Sequence, residues 1–140
     1  MTQATGAMSG AMGYVGLSTD GSTWTDVSGY ANSVDPSGGE RDTGNVKTHD
    51  GDTPILTGGK RNVMTVTIRG VYTETAAQYY AMVKTAYEAG SALYARWSPG
   101  GGDAGDKGFT TSSGSVKSQP YPSQAADNAD AVITELVLEC

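Results

Sequence analysis

The sequence is short of the residues that most enzymes use for catalysis. Its 140 residues include a single histidine, His49, and a single cysteine, Cys140. One cysteine cannot form an intramolecular disulfide. A thiol at the last position is also a poor choice for a preorganised nucleophile, because such a group must be held in place by its surroundings. We therefore expect no Cys–His catalytic pair and no enzymatic activity.

Nucleotide- and metal-binding patterns are missing as well. Gly58-Gly59-Lys60 differs from a phosphate-binding loop, because Pro54 stands where the first glycine should be and Arg61 replaces the Ser or Thr that holds magnesium. The aspartate–glycine segments 50–52 and 101–106 have too few carboxylates in calcium-loop spacing, and tight turns explain them better. The sequence predicts no cofactor and no metal.

Large apolar side chains are scarce: hydrophobic residues make up 37% of the sequence, Phe occurs once, and there are 20 glycines. No run approaches the roughly twenty apolar residues that a membrane span needs. The first twelve residues lack the basic start and apolar core of a secretory signal. We expect residues 1–12 to form a flexible arm and residues 13–140 to form one domain. The composition favours a β-dominated fold with many loops.

Positive charge is also scarce, since 9 lysines and arginines face 15 aspartates and glutamates, for a net charge of −6. Proteins that hold nucleic acid need basic patches to neutralise phosphates. The acidic balance argues against such binding, but it suits a surface past which nucleic acid slides without adhering. Ordinary solubility is the alternative explanation.

Alternating patterns predict two well-defined strands. Between Val63 and Thr73, the residues Met64, Val66 and Ile68 fall on one face, which indicates a strand with one buried side. Residues 131–139 alternate in the same way, with Leu136 and Leu138 sharing a face. Further strands are expected at residues 14–18, 23–27, 30–33, 92–98 and 109–117, and Pro36 with its following glycines indicates an edge strand or a bulge there.

One helix is expected, at residues 75–89. A capping-box pattern starts at Thr75, and an apolar stripe follows at the three- and four-residue spacing of a helix face. Gly90 stands where a left-handed cap would end the helix. Together with the strands, this predicts a mainly β fold, an antiparallel β-sandwich or partial barrel with one flanking α-helix.

The polar, glycine-rich segment 44–61 is predicted to be a long loop. About seventeen residues exceeds most connections in compact domains, and loops of that length are usually functional or disordered. Ile55 and Leu56 form an apolar pair in its middle, which a solvated tether would not need. We therefore expect this segment to contact a partner.

Five segments of the sequence share motifs with one protein family. They are Trp24–Glu40, Gly51–Arg61, Val71–Glu74 with the helix after it, Leu93–Gly101 and Pro120–Pro122. Taken together, they resemble the tail tube (major tail) proteins of long-tailed, siphovirus-type bacteriophages, and the similarity extends over most of the sequence from about Gly13 onward.

The resemblance implies a structural virion protein with a β-sandwich and a flanking helix. Six copies would form a ring, and rings would stack into a hollow tail tube through which DNA passes without specific binding. The protein would be synthesised in the host bacterial cytoplasm and would then reside in the virion tail, away from membranes. Its partners would be further copies of itself and the tape measure, tail terminator and distal tail proteins.

Residue roles follow from combining the resemblance with the sequence patterns. The predicted contacts between rings are Asp52, Thr53, Pro54, Ile55, Leu56, Lys60 and Arg61. The carboxylates predicted to line the bore, on strand faces away from the helix, are Asp35, Glu40, Asp42, Glu135 and Glu139. The first three are expected on the strand pair before the long loop.

The alternative is a carbohydrate- or protein-binding β-sandwich module, such as a virion decoration or receptor-binding domain. Modules of this kind usually expose a cluster of aromatic side chains on one face. Trp24 and Trp97 each lie in an apolar pattern, so both are expected to be buried. That expectation favours the tube protein.

Overall fold

The computed structural model describes residue 3 and residues 5–74, 78–127 and 129–140, and this part of the protein is mainly β. It contains three antiparallel sheets and one α-helix, and none of its sheets closes into a barrel. The elements in sequence order are a 3₁₀ turn at Gly10–Met12, then β1 (Tyr14–Ser18), β2 (Thr25–Asp26), β3 (Ala31–Gly38), β4 (Arg41–Val46), β5 (Ile55–Arg61), β6 (Met64–Val71), α1 (Tyr79–Ala89), β7 (Tyr94–Ser98), β8 (Phe109–Thr110), β9 (Ser115–Val116) and β10 (Ile133–Glu139).

Two four-stranded sheets and the helix enclose a single hydrophobic core. The strand orders are β2-β1-β7-β8 and β3-β6-β10-β9, and β4 pairs with β5 in a separate two-stranded sheet. On β6 and β10 the buried residues are those that the alternation predicts: Ile68 lies opposite Leu136, and Val66 lies opposite Leu138. The predicted antiparallel β-sandwich with a flanking helix is confirmed.

The helix packs its apolar stripe into this core. Tyr79, Val83 and Ala86 are buried, and the Tyr79 hydroxyl donates a hydrogen bond to the Ile68 carbonyl at 3.0 Å. Gly90, with φ of 66°, ends the helix in the left-handed conformation that the sequence predicts. The helix begins at Tyr79 with Gln78 as its N-cap, later than predicted, and Thr75 lies outside the described residues. No helix in the described ranges is both long and apolar enough to cross a lipid bilayer.

Replacing Tyr79 with phenylalanine should destabilise the fold by about 0.5–1.5 kcal/mol, because the Ile68 carbonyl loses a buried donor. Burial raises the pKa of Tyr79 from 10.0 to about 12. The unfolded protein therefore releases this proton near pH 10, while the folded protein keeps it. The contribution of Tyr79 to the free energy of unfolding is thus fully present below pH 10 and is lost as the pH rises towards 12. Urea unfolding between pH 7 and pH 11.5 should show this fall in the parent, and a smaller fall in the phenylalanine variant. An equal fall in both would contradict the assignment.

Two of the predicted strand segments are irregular in the structure. Residues 109–117 are predicted as one strand but form two short ones in different sheets, because the backbone passes from β7 to β10 between Thr110 and Ser115. Pro36 lies on β3, at the edge of its sheet, and the pairing of β3 with β6 is irregular between Ala31 and Ser33. The predicted edge position is confirmed, whereas the alternative of a bulge at Pro36 is not, because the register is regular from Ser33 to Gly38.

The prediction of a long loop at residues 44–61 is wrong. Most of that segment belongs to β4 and β5, which pair with each other in antiparallel fashion, and only residues 47–54 connect them. Both strands are exposed along their whole length. Because no face is buried, the sequence has no hydrophobic alternation that would reveal the strands.

Candidate functional site

The hairpin formed by β4, residues 47–54 and β5, here called the projecting hairpin, continues the β3–β6 pair. Two backbone hydrogen bonds bridge the junction, from the Gly39 N–H to the Val63 carbonyl (3.0 Å) and from the Asn62 N–H to the Glu40 carbonyl (2.8 Å). Gly38 has φ of 74°, and a Cβ there would lie 2.9 Å from the Val63 carbonyl oxygen. Glycine is therefore required where the ribbon leaves the sandwich.

The projecting hairpin carries three aliphatic side chains that are more than half exposed. Val46 is 64% exposed, Ile55 57% and Leu56 74%. A two-stranded ribbon is at best marginally stable in water by itself. Covering each of these side chains would stabilise a complex by up to about 1.5–3 kcal/mol. Such a surface is suited to a partner.

The strand register divides these side chains between two faces. Val46 lies opposite Ile55, and Asn45 lies opposite Leu56. Because successive residues of a strand point to opposite sides, Ile55 shares one face with Val46 while Leu56 occupies the other. From the sequence, Ile55 and Leu56 are expected to form a single apolar contact surface. The structure places them on opposite faces of the hairpin.

Three basic residues, Arg41, Lys60 and Arg61, lie at the base of the hairpin together with the carboxylates Glu40 and Asp42. Arg41 lies directly opposite Arg61, which Lys60 precedes in the sequence. The Arg41 guanidinium donates a hydrogen bond to the Gly59 carbonyl at 2.8 Å. Like charges placed opposite each other destabilise an isolated pair of strands. Arg41, Lys47, Lys60 and Arg61 are four of the 9 basic residues of an acidic protein. Three carboxylates, Asp42, Asp50 and Asp52, lie on the same hairpin, so residues 41–61 carry four positive and three negative charges.

The residues predicted to contact the next ring thus lie along one element. Ile55 and Leu56 begin β5, and Lys60 and Arg61 end it. Asp52, Thr53 and Pro54 lie in the connection before it. The structure brings them together on one hairpin, and their contact with a neighbouring ring stays a prediction.

Three of the five carboxylates predicted to line the bore share one exposed sheet face. The register places Asp35 opposite Thr67, Glu135 opposite Arg69, and Glu139 opposite Thr65. These positions alternate with the buried ones on β6 and β10, so their side chains lie on the side of the sheet away from the core. We call this surface the outer sheet face.

A guanidinium lies among these carboxylates. The Arg69 Nε is 3.0 Å from the Glu135 Oε2, and both side chains are about half exposed. Lys117, just beyond β9, adds a second positive charge near that edge of the sheet. The outer sheet face is therefore acidic but mixed, rather than purely negative.

The other two predicted bore residues lie at the base of the projecting hairpin. Glu40 joins β3 to β4, and Asp42 on β4 accepts a hydrogen bond from the Asn62 amide at 2.9 Å. The prediction that Asp35, Glu40 and Asp42 share one strand pair is wrong, because β3 pairs with β6 and β4 pairs with β5.

The residues considered for catalysis are placed without a common site. His49 is exposed in the connection of the projecting hairpin. Cys140 is half-buried, with its Sγ 3.6 Å from the Met64 carbonyl oxygen, and burial raises the pKa of its thiol. Within residues 5–74, 78–127 and 129–140, no group of three His, Cys, Asp or Glu side chains could hold a metal ion.

The tryptophans are more accessible than the sequence predicts. Trp24 and Trp97 are both half-buried, so the expectation that they are buried is wrong. Trp97 lies on β7 opposite Phe109 of the short strand β8, and their rings stack with centroids 5.9 Å apart. Phe109 is 52% exposed, because nothing among the described residues covers this edge of the sheet.

Comparison with known proteins adds no relative: no family model matches the sequence, and no curated protein shows significant similarity to it.

Proposed function

We propose that this protein is the tail tube protein of a long-tailed bacteriophage, a structural subunit that polymerises into stacked hexameric rings. The observation that carries the proposal is the projecting hairpin. It extends the sandwich by two fully exposed strands and has aliphatic side chains on both faces. A monomer leaves these side chains in water, whereas a polymer that contacts its neighbours through the hairpin would bury them at every repeat.

The sheets support assembly in a second way. β3 is an eight-residue strand at the edge of its sheet. Exposed edges of that length invite pairing with another copy or another protein, and Pro36, which has no backbone N–H, limits this pairing to the rest of the strand. A contact that closes by rotation makes a ring, and one that stays open makes a filament. We assign lateral contacts to the sandwich and axial contacts to the hairpin.

The outer sheet face suits the wall of a DNA channel. Its excess of carboxylates would repel phosphates, and repetition around a ring would reinforce the field. In this proposal DNA passes through the bore unbound, and the tube meets the tape measure, tail terminator and distal tail proteins in the virion tail.

Polymerisation of the purified protein tests the proposal. We expect sedimentation velocity at high micromolar concentration, with or without an assembly initiator, to show ring-sized species and longer polymers. Negative-stain microscopy should show hollow tubes. A species that remains monomeric under both conditions would refute the proposal.

The Trp97–Phe109 pair is the one observation that favours the alternative, a carbohydrate-binding module, because partly exposed stacked rings can bind a sugar. In that case the protein would stay monomeric, and glycans would change its tryptophan fluorescence. Replacing Phe109 with alanine should abolish that change in a binding module. In a tube protein, glycans should have no effect on either form.

A further inference from the structure

The sequence contains two aspartate–glycine steps, and the structure places them in contrasting settings. Asp20–Gly21 lies in the turn between β1 and β2, and Asp50–Gly51 lies in the connection of the projecting hairpin. Among the steps that begin with aspartate, aspartate–glycine is the most prone to cyclise, since glycine has no side chain to obstruct the approach of its own amide nitrogen.

The turn at Asp20 holds both reacting groups. The Asp20 Oδ1 accepts hydrogen bonds from the Thr23 N–H (2.8 Å), the Ser22 N–H (2.9 Å) and the Ser18 hydroxyl (2.9 Å). The Gly21 N–H, which would supply the nucleophile, donates to the Ser18 oxygen at 2.8 Å. The bonds to the carboxylate lower the pKa of Asp20 and keep it ionised, while cyclisation requires a protonated carboxyl group. The carboxylate cannot turn towards the Gly21 nitrogen without breaking them.

The step at Asp50 is open by comparison. Asp50 and Gly51 are both exposed, and a Cβ built on Gly51 would meet no atom within 4 Å. The Thr48 hydroxyl donates a hydrogen bond to the Asp50 carbonyl at 2.6 Å, and this bond engages the backbone rather than the carboxyl group. Space and exposure therefore favour reaction here.

We propose that Asp50–Gly51 is a site of spontaneous succinimide formation and isoaspartate conversion, and that the fold protects Asp20–Gly21 from the same reaction. The Gly51 nitrogen attacks the carboxyl carbon of Asp50, a C–N bond forms, the C–OH bond breaks, and one water leaves. Water then adds to either carbonyl of the ring. Cleavage of the original peptide C–N bond leaves the backbone running through the former carboxyl carbon of Asp50, with no net change in mass.

The product lengthens the backbone by one methylene group in the connection between β4 and β5. It changes the hairpin that we assign to axial contacts, but the chemistry needs only the free subunit and does not depend on the proposed function. The fraction of isoaspartate at residue 50 should therefore increase with the age of the unassembled subunit.

The folded, full-length protein tests this directly. After incubation at pH 6 and 37 °C, peptide mapping with fragmentation that distinguishes isoaspartate should show at least tenfold more conversion at residue 50 than at residue 20. Asp50→Glu, which would require a slower six-membered ring, should abolish the signal at residue 50. Equal conversion at both steps, or conversion at residue 20 alone, would overturn the proposal, as would no conversion at residue 50.

Two controls separate protection by the fold from local sequence. Ser18→Ala removes both the acceptor of the Gly21 N–H and one donor to the Asp20 carboxylate, and it should raise conversion at residue 20 several-fold without changing conversion at residue 50. In concentrated guanidinium chloride the parent should convert both steps at similar rates. If the two conversion rates still differed in denaturant, local sequence and not the fold would set them. That result would overturn the protective role of the turn.

Discussion

Replacing both Ile55 and Leu56 with serine should leave the monomer folded and prevent it from forming tubes. The two side chains are 57% and 74% exposed, so the monomer loses little core packing. Each would contribute up to about 1.5–3 kcal/mol when buried in a contact between rings, and that loss repeats around every ring. Circular dichroism and urea unfolding should match the parent, while sedimentation should show no polymer. Unfolding of the double variant would place the pair in the core instead.

The strand register makes the single variants informative. Ile55→Ser removes the apolar group next to Val46, and Leu56→Ser removes the one on the opposite face. If the hairpin is held between two neighbours, each single change should weaken assembly by itself. Thr43→Ser with Thr57→Ser is the matched control, since it alters the same strands, one position on each face, without removing a large apolar group. Loss of tubes in this control would mean that assembly responds to any change in the hairpin.

The parts of the fold that could be predicted from the sequence are those with one buried side. On β6 and β10, alternation assigns Ile68 and Leu136 to the core and Glu135 to solvent, and the structure agrees. The helix follows for the same reason, because its stripe from Tyr79 to Ala86 has a core to face. Hydrophobic periodicity in the sequence indicates which side chains are buried, so it locates only the strands and helices that have a buried face in the monomer.

The parts that could not be predicted depend on pairing between distant segments. β4 and β5 bury no side group in the monomer, so their residues show no periodicity, and the register that separates Ile55 from Leu56 exists only once the strands pair. The outer sheet face likewise joins Asp35 to Glu135 across β6, although the two residues are far apart in sequence. Neither the register of β4 with β5 nor the shared face of Asp35 and Glu135 can be read from local sequence.

Reversing the charge of the outer sheet face should make assembled tubes retain DNA. The variant replaces Asp35, Glu135 and Glu139 with lysine, and Arg69 would then lie among cations instead of carboxylates. Six copies per ring would give a continuous positive wall, and the Debye length of about 8 Å at physiological salt leaves a narrow bore incompletely screened. Phosphate neutralisation then drives binding, which should weaken steeply as salt rises. Tubes assembled with DNA present should hold nuclease-protected DNA, whereas parent tubes should hold none.

The control for this variant reverses three exposed carboxylates elsewhere, Asp26 on β2, Glu88 on α1 and Asp127. The overall charge change is the same, so DNA should bind the outside of these tubes and remain sensitive to nuclease. Equal protection in both variants would contradict the assignment of the outer sheet face to the bore. A density map of the parent tube tests the assignment of the outer sheet face to the bore without any substitution. A bore lined by Lys60, Arg61 and Arg96, with the carboxylates outside, would refute this assignment. Loss of the exposed Arg69–Glu135 ion pair should not confuse the result, since such pairs contribute only about 0–1 kcal/mol.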